Sequence, residues 1–143
     1  AYALGVVVDL LVGDLDSVSE SGLSRAIAGG VAVERFPTDK DFTDTELALR
    51  AALRHGASHI VVVSCVGRRL DHSFSALSLL VDPTLAGVTV EAWWGSAHVH
   101  AVRGPATRGA ATAGRGVSNV FTETELHLRL DSGALLVIRP EAL

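Results

Sequence analysis

The chain opens on an almost unbroken apolar run, Val6-Val7-Val8-Asp9-Leu10-Leu11-Val12, released by Gly13. A short apolar run closed by a turn residue reads as a buried strand. Ser21 to Ala28 reads as a short helix that stops at Gly29-Gly30. Val31 to Phe36 predicts a second strand, closed by Pro37. Thr43-Asp44-Thr45-Glu46 has the spacing of a capping box, with the Thr43 hydroxyl at the N-cap and Glu46 three residues on. The helix it starts is expected to run to about His55, with Gly56 just past its end. Leu47, Ala51 and the stem of Arg54 share one face of it, which Leu49 and Leu53 widen. His59 to Val63 is the strongest strand signal, rich in β-branched residues. A helix from about Ser73 to Leu80 and a strand from Val88 to Trp93 follow. Strands alternating with helices of this length predict a parallel sheet with crossover helices.

The last third changes period. Ala97 to Val102 reads as a strand, and Arg103 to Gly116 is a Gly/Ala/Arg/Thr-rich stretch with no period. Glu125-Leu126-His127-Leu128-Arg129-Leu130 alternates strictly, Asp131-Ser132-Gly133 turns, and Ala134 to Ile138 returns. That pattern predicts a β-hairpin with Leu126, Leu128 and Leu130 facing a core. The expected fold class is therefore α/β for residues 1–95, followed by a β-rich part at 96–143.

Composition narrows the options. At 143 residues, 48% hydrophobic and 20% charged, the chain is globular and long enough for one real core. A net charge of −4 with scattered basic residues argues against a nucleic-acid surface. The single cysteine, Cys65, excludes an internal disulfide and a cysteine-rich zinc site, and points to a reducing cytoplasm. No apolar stretch approaches the roughly 20 residues of a membrane span, and no signal peptide is evident at the N-terminus. The two tryptophans, Trp93 and Trp94, are neighbours on a strand and must face opposite ways, one into the core and the other to a surface or interface.

Polar residues gather after three of the predicted strands. The clusters are Gly13-Asp14-Leu15-Asp16-Ser17, Asp39-Lys40-Asp41-Phe42-Thr43-Asp44 and Gly67-Arg68-Arg69-Leu70-Asp71-His72. Open parallel sheets bind ligands beyond the carboxyl ends of their strands, so the three are expected on one rim. On an extended chain Asp14 and Asp16 would project to the same side with Leu15 turned away. Two adjacent carboxylates repel unless a cation lies between them, and hard oxygen donors suit Mg²⁺. Carboxylates for Mg²⁺ beside Lys and Arg for phosphates form the constellation of phosphoryl transfer. The helix N-terminus at Thr43 adds backbone N–H groups for an anion. Each feature has a plainer reading: Asp14 and Asp16 as a solvated turn with Asp16 or Ser17 capping the next helix, Asp44 as a favourable first-turn acid, Asp39 to Asp41 as a solvated loop, Arg69 with Asp71 as a surface ion pair, His72 as a helix start.

In order along the chain, Gly13-Asp14-Leu15-Asp16-Ser17, Asp39-Lys40-Asp41-Phe42-Thr43-Asp44-Thr45-Glu46-Leu47-Ala48-Leu49, Arg69-Leu70-Asp71-His72 and Ser118-Asn119 resemble the G-D-x-D-S, D-K-D-x-T-D-x-E-x-A-L, R-x-D-H and S-N landmarks of the thiamine pyrophosphokinase family. The resemblance spans almost the whole chain. It implies a Rossmann-like nucleotide-binding domain, a small sandwich-like β domain that contacts thiamine, a homodimer, and transfer of a pyrophosphoryl group from ATP to the thiamine hydroxyl. By motif, Asp14, Asp16 and Asp44 would hold Mg²⁺. Lys40, Arg69, Asp71 and His72 would line the phosphate and acceptor side, with Asp71 orienting or deprotonating the hydroxyl. Ser17 and Thr43 would join Asp16 and His72 in binding the nucleotide, and Ser118 and Asn119 would contact thiamine from the partner subunit.

Three departures accompany the resemblance. The family's acidic Ala-Asp-Gly-Gly turn belongs upstream of Ala1, Arg68 replaces a glycine, and Arg103 to Gly116 is short for the β domain. The chain is accordingly expected to join pieces of a longer one, with a truncated paralogue as the rival. A catalytically impaired nucleotide- or thiamine-binding relative is the alternative to an active enzyme. A Mg²⁺-dependent phosphohydrolase with Asp14 as nucleophile is a second enzyme class, although the lysine and threonine placement does not require it.

Overall fold

A computed structural model describes residues 1–39, 41–64, 69–110 and 126–140, in two compact units, Ala1–Gly56 and Ala57–Leu143. The expected boundary at 95 falls within the second unit. In the first, β1 (Leu10–Gly13) pairs in parallel with β2 (Ala32–Arg35), Leu10 opposite Ala32 and Gly13 opposite Arg35. The apolar run is longer than the strand it makes. Val6 and Val7 are exposed, and the ladder begins where the Ala32 N–H donates to the Asp9 carbonyl.

The crossover between the strands is α1 (Glu20–Ala28), whose first turn is closed by the Ser19 hydroxyl accepting from the Gly22 N–H at 3.1 Å. That hydroxyl satisfies one of the donors a helix start leaves without an intrahelical partner. α2 (Asp44–Arg54) starts as its sequence predicts, the Thr43 hydroxyl accepting from the Glu46 N–H at 3.2 Å. It ends at His55 with Gly56 at φ 77°, a left-handed conformation that glycine adopts without strain. Glu46 receives two hydrogen bonds from Arg50, whose guanidinium also lies 4.4 Å over the Phe42 ring. α2 packs on β1, and Leu15, Ala26, Leu47, Leu49 and Ala51 form the core of this unit.

The second unit is built on a four-stranded mixed sheet in the order β3 (His59–Ser64), β4 (Thr89–Trp94), β5 (Ala97–Arg103) and β8 (Ala134–Pro140). β3 runs parallel to β4, joined by α3 (Leu70–Leu79) and a short 3₁₀ turn at Pro83–Leu85. β4 then pairs antiparallel with β5, and β5 with β8. Ile60, Leu80, Leu85, Val90, Ala92, Val99 and Val102 are its buried core. Each large side chain among them stabilises by about 1.5–3 kcal/mol on leaving water. Arg103 crosses to this core's edge, donating to the carbonyls of Leu80 at 2.6 Å and Asp82 at 3.3 Å.

The C-terminal hairpin expected from the alternating leucines is not what forms. β7 (Leu126–Leu130) pairs with β6 (Ala106–Ala110), while β8 pairs with β5, so the two predicted hairpin strands lie in different sheets. The Asp131–Gly133 turn is real, but it is one side of a corner. At the other side is Gly104, whose N–H donates to the Gly133 carbonyl at 2.9 Å. A Cβ on Gly104 would meet Ser132 Cα and N at 2.8 Å, so only glycine lets the two chains turn the corner together. The side chains of Leu126 and Leu128 lie outside the described residues, and Leu130 is half-buried. The tryptophan expectation also changes, since both Trp93 and Trp94 are half-buried and Val90 and Ala92 fill the core instead.

Candidate functional site

The end of β1 meets the start of α2. Gly13 has φ 141°, and a Cβ built there would lie 2.8 Å from Asp44 Cγ and 2.9 Å from its Oδ1. The absence of a side chain at 13 is thus what lets the Asp44 carboxylate settle on the backbone next to Asp14. Thr43 fixes the approach by capping the helix that carries Asp44 as its first residue. The helix N-terminus favours that carboxylate through its dipole.

The chain past Gly13 does not continue extended. Leu15 takes φ 65° and is buried, and the Asp14 Oδ1 accepts from the Asp16 N–H at 3.2 Å. Asp14 and Asp16 therefore sit on a tight turn in which the half-buried Asp14 braces the loop and Asp16 stands exposed. The alternation assumed from an extended strand is replaced by an Asx-type turn, closed by the Asp14 carboxylate on the Asp16 N–H with the buried Leu15 in the left-handed region. Ser17 is exposed on the same turn. Asp14, Asp16, Ser17, Thr43 and Asp44 all belong to the first unit.

Arg69, Asp71 and His72 belong to the second, where α3 begins. Arg69 holds Asp71 with a two-pronged grip, Nε to Oδ1 at 3.2 Å and Nη2 to Oδ2 at 2.5 Å. The hydrogen bond from Arg69 drives the Asp71 pKa down to about 2, and the same pairing raises that of Arg69. Both side chains are about two-thirds exposed, so the pair orients charge and adds little stability. His72 is exposed beside them. Lys40, Ser118 and Asn119, together with Cys65 and Arg68, lie outside the described residues.

A further polar cluster was not visible in the sequence. On the face of the sheet opposite Val90 and Ala92, Glu91 of β4 meets three histidines. Its Oε1 is 2.9 Å from His59 Nε2, and its Oε2 is 2.8 Å from His98 Nε2 and 3.6 Å from His100 Nδ1. Hydrogen bonding from His98 is the chief cause that holds the Glu91 pKa below the usual range. His98 stacks on Trp93 with centroids 4.3 Å apart and planes at 3°. The available signal was His98-x-His100, a spacing that puts both rings on one face of a strand. It was silent about β3 and β4.

Carboxylates at a strand end are set against a capped helix N-terminus in a mixed α/β protein. Residues 1–91 match the family profile described as thiamin pyrophosphokinase, catalytic domain, and the chain belongs to that family. Its fold is similar to that of the thiamine pyrophosphokinase of Bacillus subtilis, with a TM-score of 0.76 at 18% identity over 99% of this chain and 83% of the other. A thiamin pyrophosphokinase family protein of Enterococcus faecalis gives 0.74 at 19%, over 99% and 84%. The thiamin pyrophosphokinase of Geobacillus thermodenitrificans gives 0.72 at 21%, over 99% and 81%. No curated protein sequence matches significantly. Among the described residues no helix is long and apolar enough to cross a membrane.

Proposed function

We propose that the protein transfers a pyrophosphoryl group from ATP to the hydroxyl of thiamine, giving thiamine diphosphate and AMP. The observation that carries this reading is the seating of Asp44 on Gly13 beside Asp14, in a chain of the thiamin pyrophosphokinase family. Oxygen-only donors of this kind fit Mg²⁺, which Asp14, Asp16 and Asp44 would hold. When bound, the ion would neutralise charge on the transferring phosphates.

The rest falls to the chain's own residues. Lys40, Arg69 and His72 would face the phosphates, and Ser17 with the Thr43 helix start would offer donors to them. Asp71, with its depressed pKa, is a poor proton acceptor at neutral pH and is assigned to orienting the hydroxyl and Arg69, not to deprotonation. Ser118 and Asn119 would contact thiamine across a homodimer interface, in a cytoplasmic enzyme. The two parallel strand–helix–strand crossovers support a Rossmann-like nucleotide-binding part within residues 1–95, and a thiamine-binding part would lie over 96–143, where β5 and β8 continue the β3–β4 sheet.

The test is incubation with ATP, thiamine and Mg²⁺ followed by separation of nucleotides. AMP and thiamine diphosphate should appear together and only with all three present. ATP consumption without thiamine would overturn the reading, while ligand binding without AMP would mark a catalytically impaired relative.

A further inference from the structure

The sheet face that carries Glu91 holds the nitrogen-rich group of donors found among the described residues. Glu91, His98 and His100 each offer one ligand atom, and these three atoms all lie within 4.8 Å of one another. The separations of Glu91 Oε2 from His98 Nε2 and His100 Nδ1, 2.8 and 3.6 Å, bracket the roughly 3.3 Å edge of a tetrahedron with zinc bonds of about 2.0–2.1 Å. Small movements of three side chains would thus enclose an ion.

The strands make the arrangement stiff. Glu91 pairs with His100 and Trp93 with His98 in the antiparallel β4–β5 ladder, so the donors are set by backbone register. The stacked indole of Trp93 fixes the plane of the His98 ring. His59 reaches from β3 to Glu91 Oε1 at 2.9 Å, leaving Oε2 toward the other two histidines. A group that grips the remote oxygen of a ligating carboxylate is the usual outer support of a metal site.

We infer that Glu91, His98 and His100 form a binding site for a borderline-soft divalent transition metal such as Zn²⁺ or Co²⁺, with His59 as the positioning residue for Glu91. Two imidazoles and one carboxylate favour such an ion over Mg²⁺, which takes oxygen ligands. Three protein ligands leave a fourth position for water or a ligand atom. The site lies within the second unit and shares no residue with the carboxylates assigned to Mg²⁺.

The experiment is titration of the full chain with Co²⁺, read by its visible ligand-field absorption, followed by displacement with Zn²⁺. Intense bands of a four-coordinate ion should saturate at one equivalent, vanish on Zn²⁺ addition and resist excess Mg²⁺. His98→Ala and Glu91→Gln should each abolish the bands, and His59→Ala should weaken binding 10–100-fold while keeping the spectrum. Cys65→Ser and Asp16→Asn should leave the Co²⁺ bands unchanged. Far-UV circular dichroism and the metal-free melting midpoint establish that each variant is folded. Absence of the bands in the folded parent chain, or their survival in His98→Ala, would overturn the assignment. So would their loss in Cys65→Ser or Asp16→Asn.

Discussion

The Asp44 carboxylate occupies the space that a side chain at Gly13 would fill, with Cγ 2.8 Å from the would-be Cβ. This one contact joins a strand end to a helix start thirty-one positions later and seats the acid of one motif on the backbone of another. It also makes the local structure sensitive to a single methyl group.

Gly13→Ala should therefore be costly in two ways. The backbone at φ 141° is strained for any L-residue, and the new Cβ would displace Asp44. A loss of about 1–3 kcal/mol is expected in urea unfolding, together with near-complete loss of AMP formation. Unchanged stability would mean that the carboxylate can move aside at no cost.

Asp16 is exposed and takes part in the turn through its backbone N–H. Asp16→Asn should leave the unfolding midpoint unchanged within about 0.5 kcal/mol, as surface substitutions usually do. Product formation from ATP and thiamine should nevertheless be abolished. Retained turnover would remove Asp16 from the metal assignment.

Removing the Thr43 hydroxyl takes away the N-cap of α2. Thr43→Ala should destabilise by about 1 kcal/mol, and Thr43→Ser should restore most of it. Because Asp44 is the first residue of that helix, activity should fall further in Thr43→Ala than in Thr43→Ser. Equal activities would show that the cap does not position Asp44.

The Asp71 carboxyl should titrate unusually low. Its folded pKa, about 2, lies below the ordinary value near 3.9, so its pairing with Arg69 is present above pH ~4 and lost as pH falls toward 2. Carboxyl chemical shifts followed by NMR should give a midpoint near 2, moving up in Arg69→Ala. The same ordering predicts that no limb of a pH–rate profile between about pH 5 and 9 belongs to Asp71. A midpoint at the ordinary value would mean that the guanidinium does not stay on the carboxylate in solution.

Much of the first unit was legible because its determinants are local. Thr43 and Glu46 are three residues apart, and the cap they specify forms as spaced. Gly56 ends the same helix for an equally local reason, its own φ. The turn at Leu15 was not legible, since its left-handed backbone goes with a side chain buried only in the folded unit. The alternating leucines of β7 announced a strand but not its partner. A two-residue period says which face is buried and nothing about which strand lies alongside.

By itself, then, the sequence determined the α/β alternation, the cap of α2 and the family, all properties of residues close together or of motifs in order. The tertiary structure decided that β7 and β8 part into different sheets at the Gly104–Ser132 contact. It also decided that Asp44 lies on Gly13, and that His59, Glu91, His98 and His100 share one sheet face. Those relationships depend on strand register and on close packing between distant segments. No local pattern encodes them, because the energies that select them exist only once the chain has folded back on itself.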